Sequence, residues 1–202
     1  MAFKNRDATT IHIVGVGGQG ALTVSKIIGN AALAKDLQIV VSEIHGMAQR
    51  GGVVQTTIRI GDTISPLPFS TDMNLVMGFE PMEVYRARNI LTPETVLIFN
   101  RDPIMPVTVS SGGKPYPDIE KIIGEVKKNV KAVYTLSAKE KAAEVGNEKV
   151  TNVVLLGALS ATGLLPFSKD EMKESVKISV PKKAVEENLK AFEMGYESVK
   201  EQ

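Results

Sequence analysis

Between Ser42 and Gly52 the chain reads Ser-Glu-Ile-His-Gly-Met-Ala-Gln-Arg-Gly-Gly. An acid (Glu43), an imidazole (His45), a carboxamide (Gln49) and a guanidinium (Arg50) fall within eight residues, bracketed by Gly46, Gly51 and Gly52. A hydrophobic core has no use for such a cluster, and a strand connection needs only about two to six turn-forming residues. The glycines open backbone angles closed to other residues and let a partner approach the main chain. Polar side chains on a loop held between two strands suit a binding or reaction edge. The competing reading is a tight turn with a solvated rim, in which Arg50 pairs with the local acid Glu43. Met47-Ala48 inside the stretch suits packing better than free solvation.

The elements on either side must position this stretch. Leu37 to Val41 is a strongly apolar run and reads as a buried strand ending near Ser42, and Val53 to Ile60 reads as the next strand. Upstream, Thr10 to Val14 reads as strand 1, followed at once by Gly15-Val16-Gly17-Gly18-Gln19-Gly20. Ala21, Leu22, Val24, Ile27, Ile28, Ala31 and Ala32 then recur near helical spacing, which predicts a helix from about Gly20 to Lys35. This is a βαβ start with G-x-G-x-x-G between strand and helix and Glu43 at the end of strand 2. On spacing it is the dinucleotide fingerprint: a pyrophosphate on the helix N-terminus and Glu43 on a ribose hydroxyl. The glycines equally permit close helix–strand packing, and Glu43 runs directly into the polar loop, which leaves it a second role. A Walker-type loop is excluded because no Lys-Ser/Thr follows the glycines.

The remainder alternates. Val53 to Ile60 places Gln55, Thr57 and Arg59 on one face and Val54, Thr56, Ile58 and Ile60 on the other, which predicts one face open to solvent or a partner. Met73 to Phe79 reads as strand 4, Glu80-Pro81 starts a helix that Thr92-Pro93 stops, and Thr95 to Asn100 reads as strand 5. Asp102 to Asp118 holds four prolines and Gly112-Gly113 and reads as a surface excursion with a short strand at Val107 to Val109. A helix over Asp118 to Val130, strand 6 over Ala132 to Leu136 and a helix capped by Ser137 follow. The last third is helical: Asn147 to Leu165, rich in small residues, then a Ser168-capped helix through Ser175 and a final one over Lys182 to Lys200. The fold class is therefore α/β and Rossmann-like, a mostly parallel sheet flanked by helices with a helical C-terminal third. No linker or repeat divides it, so residues 1–202 are taken as one domain.

Bulk properties narrow the function. The 202 residues carry a formal net charge of +1 and 5% aromatics without Trp, which excludes a basic nucleic-acid surface and a stacking platform. There is no Cys, hence no disulfide, thiolate catalysis or thiolate-held cluster in this chain. The first residues lack the apolar segment of a signal peptide, and Val153 to Leu165 is too short to span a bilayer. These features fit a cytoplasmic protein. His12 lies inside strand 1 without partners at metal spacing, so it reads as a satisfied half-buried residue and no metal site is expected.

Two motifs together, Ile13-Val14-Gly15-Val16-Gly17-Gly18-Gln19-Gly20 and the Ser42–Gly52 stretch, resemble the gamma-type domain of the 2-oxoacid:ferredoxin oxidoreductases, most strongly its indolepyruvate branch. The runs Asn152…Leu156-Gly157-Ala158 and Asn188 to Tyr196 resemble it too, so the likeness covers most of the chain and demotes the nicotinamide reading. The resemblance implies a complex that decarboxylates a 2-oxoacid on thiamine diphosphate, passes electrons through [4Fe-4S] clusters to ferredoxin and gives the acyl group to coenzyme A. The chain has no Cys, and Gly61-Asp62 is followed by Thr63 rather than the Gly of a metal-diphosphate signature. The thiamine diphosphate, its Mg and the clusters are therefore expected on a partner alpha subunit. On the same resemblance Arg50 is expected to clamp a substrate carboxylate or coenzyme A phosphate. Gln49 and His45 are expected to orient it, and the Gly15–Gly20 turn to face the anionic groups of coenzyme A.

Overall fold

The computed structural model describes residues 8–46, 51–67, 73–106, 109, 111–113 and 115–200. Among them six strands form one sheet in the order β2-β3-β1-β4-β5-β6. The strands are β1 (Thr9–Val16), β2 (Ile39–His45), β3 (Val53–Ile60), β4 (Leu75–Gly78), β5 (Val96–Asn100) and β6 (Ala132–Leu136). β1, β4, β5 and β6 pair in parallel, whereas β3 is antiparallel to both β1 and β2. The mostly parallel sheet is thus correct, but β3 stands between the two strands of the βαβ start.

Among the described residues seven α-helices cover the sheet: α1 (Ala21–Leu33), α2 (Pro81–Arg86), α3 (Ile119–Lys127), α4 (Ala138–Val145), α5 (Thr151–Ala161), α6 (Lys169–Ser179) and α7 (Val185–Lys200). Alternate strand residues serve opposite faces, as the pleat requires. Leu75 and Met77 of β4 join Ile28, Leu156 and Phe192 in the core under α1 and α4–α7. Val76 joins Val84, Leu97 and Val126 under α2 and α3 on the other face. The helix after β1 therefore lies on one face and the helix after β4 on the other, so a crevice opens at the carboxyl ends of β1 and β4, where open α/β sheets bind ligands.

Several local expectations are corrected. β2 runs on through Glu43 and Ile44 to His45, because β3 supplies ladder partners that far: Glu43 faces Thr56 and His45 faces Val54. The polar face of β3 is not open. Arg59 is buried beneath residues 61–67, and its Nη1 donates to the Ser65 carbonyl at 3.0 Å. The helix after Glu80 breaks at Arg86 into a 3-10 turn, Ala87–Ile90. Ser137 stands before α4 but its Oγ donates to Asp102 Oδ1; Asp102 and Asn100 accept from the first N–H groups of α4 instead. α6 has the capping box Ser168/Glu171 and extends to Ser179. Of the short strand placed at Val107 to Val109, Val107 and Thr108 lie outside the described residues.

Candidate functional site

β1 ends at Val16, and the glycine turn carries the chain into α1. Gly20 takes φ +84°, a left-handed conformation that favours glycine, and leaves α1 with no side-chain cap and no acid in its first turn. Its first N–H groups therefore meet a favourable dipole without an internal partner. The β2–β3 connection returns to the same place: Gly17 N–H donates to the Gly52 carbonyl at 2.8 Å. The cross-sheet register sets His45 opposite Val54 and Val54 opposite Gly15. His45 thus stands at the same carboxyl edge as the glycine turn.

Between them lies an open cleft of about 460 Å³, lined by Gly17, Gly18, Gly20, Leu22, His45 and Val54 among others. The exposed His45 ring has Nε2 3.3 Å from Glu43 Oε2. Residues i and i+2 of a strand share a face, so the two side chains stand together on the α1 side of the sheet. The cleft combines uncapped helix N–H groups, of the kind that favour an anion, with an imidazole hydrogen-bonded to a carboxylate.

The structure separates the sequence-predicted residues. Gly17, Gly18, Gly20 and His45 line the cleft. Glu43 supports His45 but is not at the ribose position of a dinucleotide site. β3 places β2 two strand spacings from β1, roughly 9–10 Å away, whereas the fingerprint needs the acid on the neighbouring strand. Gln19 is a structural clamp: its Oε1 accepts from Val16 N–H at 2.8 Å and its Nε2 donates to the Phe79 carbonyl at 2.9 Å, tying the ends of β1 and β4. Gly15 makes room for it, since a Cβ there would meet Gln19 Oε1 at 2.6 Å and Phe79 Cβ at 2.8 Å. Gln49 and Arg50 lie outside the described residues. His12 is structural as expected: its Nδ1 bonds Thr57 Oγ1 at 2.9 Å, and burial lowers its pKa to about 4.

A second cleft of about 320 Å³ lies on the other side of Gly18, in the crevice between β1, β4 and β5, walled by Gln19, Phe79, Asn100, Ile104 and Asn152 among others. Asn152, in the first turn of α5, donates from Nδ2 to the Gly20 carbonyl at 3.3 Å and fills the space a Gly20 Cβ would need. Sequence reasoning placed Asn152 and Asn100 in no site. A polar residue in an otherwise apolar helix was the available signal for Asn152, and an Asn closing an apolar strand was the signal for Asn100.

Residues 10–198 match the family model described as pyruvate ferredoxin/flavodoxin oxidoreductase. The chain belongs to this family. It is 41% identical over 186 residues to the indolepyruvate oxidoreductase subunit IorB of Archaeoglobus fulgidus, covering 92% of each chain. The keto/oxoacid ferredoxin oxidoreductase gamma subunit of Geobacter sulfurreducens has the same fold, with a TM-score of 0.70 at 27% identity, over 96% of this chain and 99% of that one. A 2-oxoglutarate:ferredoxin oxidoreductase of Magnetococcus marinus, solved with 2-oxoglutarate, coenzyme A and succinyl-CoA, shares the fold with a TM-score of 0.75 at 22% identity. There the match covers 98% of this chain but 32% of the other, so the fold is one part of a longer polypeptide. The protein is thus of the kind that serves as a subunit of 2-oxoacid:ferredoxin oxidoreductases. Among the described residues no helix is long and apolar enough to cross a membrane.

Proposed function

We propose that this chain is the small subunit of a cytoplasmic oxidoreductase that converts an aryl pyruvate of the indolepyruvate type, with coenzyme A, to acyl-CoA, CO2 and reduced ferredoxin. The observation that carries the proposal is the likeness to an indolepyruvate oxidoreductase subunit along nearly the whole of both chains. A partner subunit supplies thiamine diphosphate, Mg and the [4Fe-4S] clusters, because this chain has no cysteine to ligate a cluster. Bound thiamine diphosphate provides the electron sink for decarboxylation. This chain holds and orients. The uncapped start of α1, Gly17, Gly18 and His45 form one wall of the site and face the anionic groups of coenzyme A. Gln49 and Arg50, which follow in the sequence, are assigned further ligand contacts, Arg50 being suited by its planar fork to a phosphate or carboxylate.

A self-sufficient dinucleotide-dependent dehydrogenase is disfavoured by the position of Glu43 behind β3. Calorimetric titration of the isolated chain should accordingly show no micromolar binding of NAD or NADP, and the chain alone should oxidise no 2-oxoacid. The deciding experiment is reconstitution with the thiamine-bearing partner. Arg50→Ala should leave the thermal midpoint of the isolated chain within a few degrees and cut 2-oxoacid oxidation by the complex at least about tenfold, equivalent to roughly 1.4 kcal/mol. Saturation curves for coenzyme A and for the 2-oxoacid then show which ligand Arg50 serves. An early-unfolding variant, or a complex with full activity, would remove it from the site.

A further inference from the structure

Glu80 is a charged residue in an unexpected place. It follows β4, opens α2 and is only 2% exposed. A helix cap needs one carboxylate oxygen, and Oε2 fills that role by accepting from Glu83 N–H at 3.1 Å. The other oxygen reaches away from the helix. Oε1 accepts from the Tyr116 hydroxyl at 2.5 Å and from Ile104 N–H at 3.4 Å. The Tyr116 oxygen in turn accepts from Met82 N–H at 3.1 Å. One buried carboxylate therefore joins the first turn of α2 to both limbs of the proline-rich excursion that leaves β5 and returns to α3.

The outgoing limb is the outer wall of the second cleft, where Pro103 and Ile104 stand opposite Gln19 and Asn152. Little apolar burial holds that wall, since Ile104 and Met105 are 44% and 51% exposed. Among the described residues, the hydrogen bond that fastens Pro103 to Met105 to the body of the fold is the one from Ile104 to Glu80. The inner wall hangs on the residue just before it, because the Phe79 carbonyl accepts from Gln19 Nε2 and, at 3.4 Å, from Asn100 Nδ2. Two consecutive residues, Phe79 and Glu80, thus set the two walls of one cleft.

We propose that Glu80 and Tyr116 are positioning residues, a clasp that fixes the outer wall of the cleft beside Gly18 for the part of the ligand that extends past the glycine turn. Burial, reinforced by the neighbouring Glu80 carboxylate, raises the Tyr116 pKa well above the ordinary phenol value, so the phenol stays protonated and the clasp keeps its donor. The clasp itself follows from the geometry; the ligand part of the proposal rests on the coenzyme A reading above.

The test uses the full chain and two readouts. Tyr116→Phe deletes one hydroxyl and leaves the Glu80 cap of α2 intact, so it tests the clasp without removing the helix start. Hydrogen exchange followed by mass spectrometry should show the Ile104 and Met105 amides exchanging at least about tenfold faster in Tyr116→Phe, and faster still in Glu80→Gln, with Arg101, β4 and β5 unchanged because Arg101 N–H is held separately by the Leu136 carbonyl. In the reconstituted complex, Tyr116→Phe should raise the KM for coenzyme A at least about threefold and leave kcat within about twofold. Glu83→Gln, a buried carboxyl on the same helix paired with Arg86 and not with the excursion, should change neither readout. Unchanged exchange at Ile104 and Met105 would overturn the clasp. Faster exchange with an unchanged KM would make the pair structural and overturn the positioning role. A wild-type complex that shows no coenzyme A dependence would instead bring down the function reading and the positioning role with it, while the exchange result still decides the clasp.

Discussion

The two halves of the sheet are built to different standards. From β1 through β4 to β5 the strands are buried on both faces, and every residue of β4 and β5 is inaccessible. On the other side of β1, β3 is mostly buried but β2 is exposed for much of its length, with Val41, Glu43, Ile44 and His45 all open to solvent. The inner strands of the parallel half are shielded because crossover helices lie on both sides of them, and only its edge strand β6 is part-exposed. The outer strand β2 follows the α1 crossover, but β3 joins it antiparallel through a short connection, so β2 is left at the sheet edge with one side unpaired and can stay bare. The difference teaches where each job sits. The covered half supplies the frame and the crevice, while the bare strand ends with His45 exposed at the edge of the cleft.

If the covered half carries the stability, a change in the helical layer over it should have the largest effect. α5 and α7 cross so closely that a Cβ on Gly195 would meet the Val154 carbonyl oxygen at 1.8 Å, a backbone atom that cannot step aside. Gly195→Ala should cost about 3 kcal/mol or more, a fall of roughly 6–12 °C in thermal midpoint for a chain of this size. A variant melting within two or three degrees of wild type, read by calorimetry, would break the comparison on its stable side.

The seam between the halves gives a pH signature. His12 on β1 bonds Thr57 on β3, and its folded pKa of about 4 lies below the ordinary 6.5. A depressed pKa means that the unfolded chain binds the proton first. The stabilisation is therefore complete above about pH 6.5 and is lost as the pH falls from there toward 4. The whole loss amounts to about 3 kcal/mol. Urea midpoints measured from neutral pH down to about 4.5 should fall more steeply for wild type than for His12→Gln. Parallel curves would mean that the seam is open to water.

The smallest expected effect on folding belongs to the bare strand. His45→Ala should change stability by no more than about 0.5 kcal/mol, yet it should weaken coenzyme A use by the reconstituted complex. A large loss of stability would show that the exposed half is part of the frame after all, and unaltered complex kinetics would remove His45 from the site.

Much of the fold was legible in the residues. β3 begins and ends where its alternating pattern does, and Ser168 announced the start of α6. The cleft was legible in part. Gly17, Gly18, Gly20 and His45 come together there, whereas Gln19 turned out to be spoken for by Val16 and Phe79. The Asp102 and Asn100 caps on α4 were invisible because they come from residues 37 and 38 positions upstream, where no local spacing rule reaches.

By itself the sequence determined which segments are strands and helices and which of their faces are apolar, because side-chain period and capping are local properties. It could not determine which strand lies next to which. Backbone hydrogen bonds carry no side-chain identity, so the spacing of Gly15, Gly20 and Glu43 is the same whether β2 lies beside β1 or one strand further out. Only the tertiary structure decided that β3 enters between them. That single insertion takes Glu43 away from the ribose position, sets it behind His45, and turns a dinucleotide pattern into the wall of a different cleft.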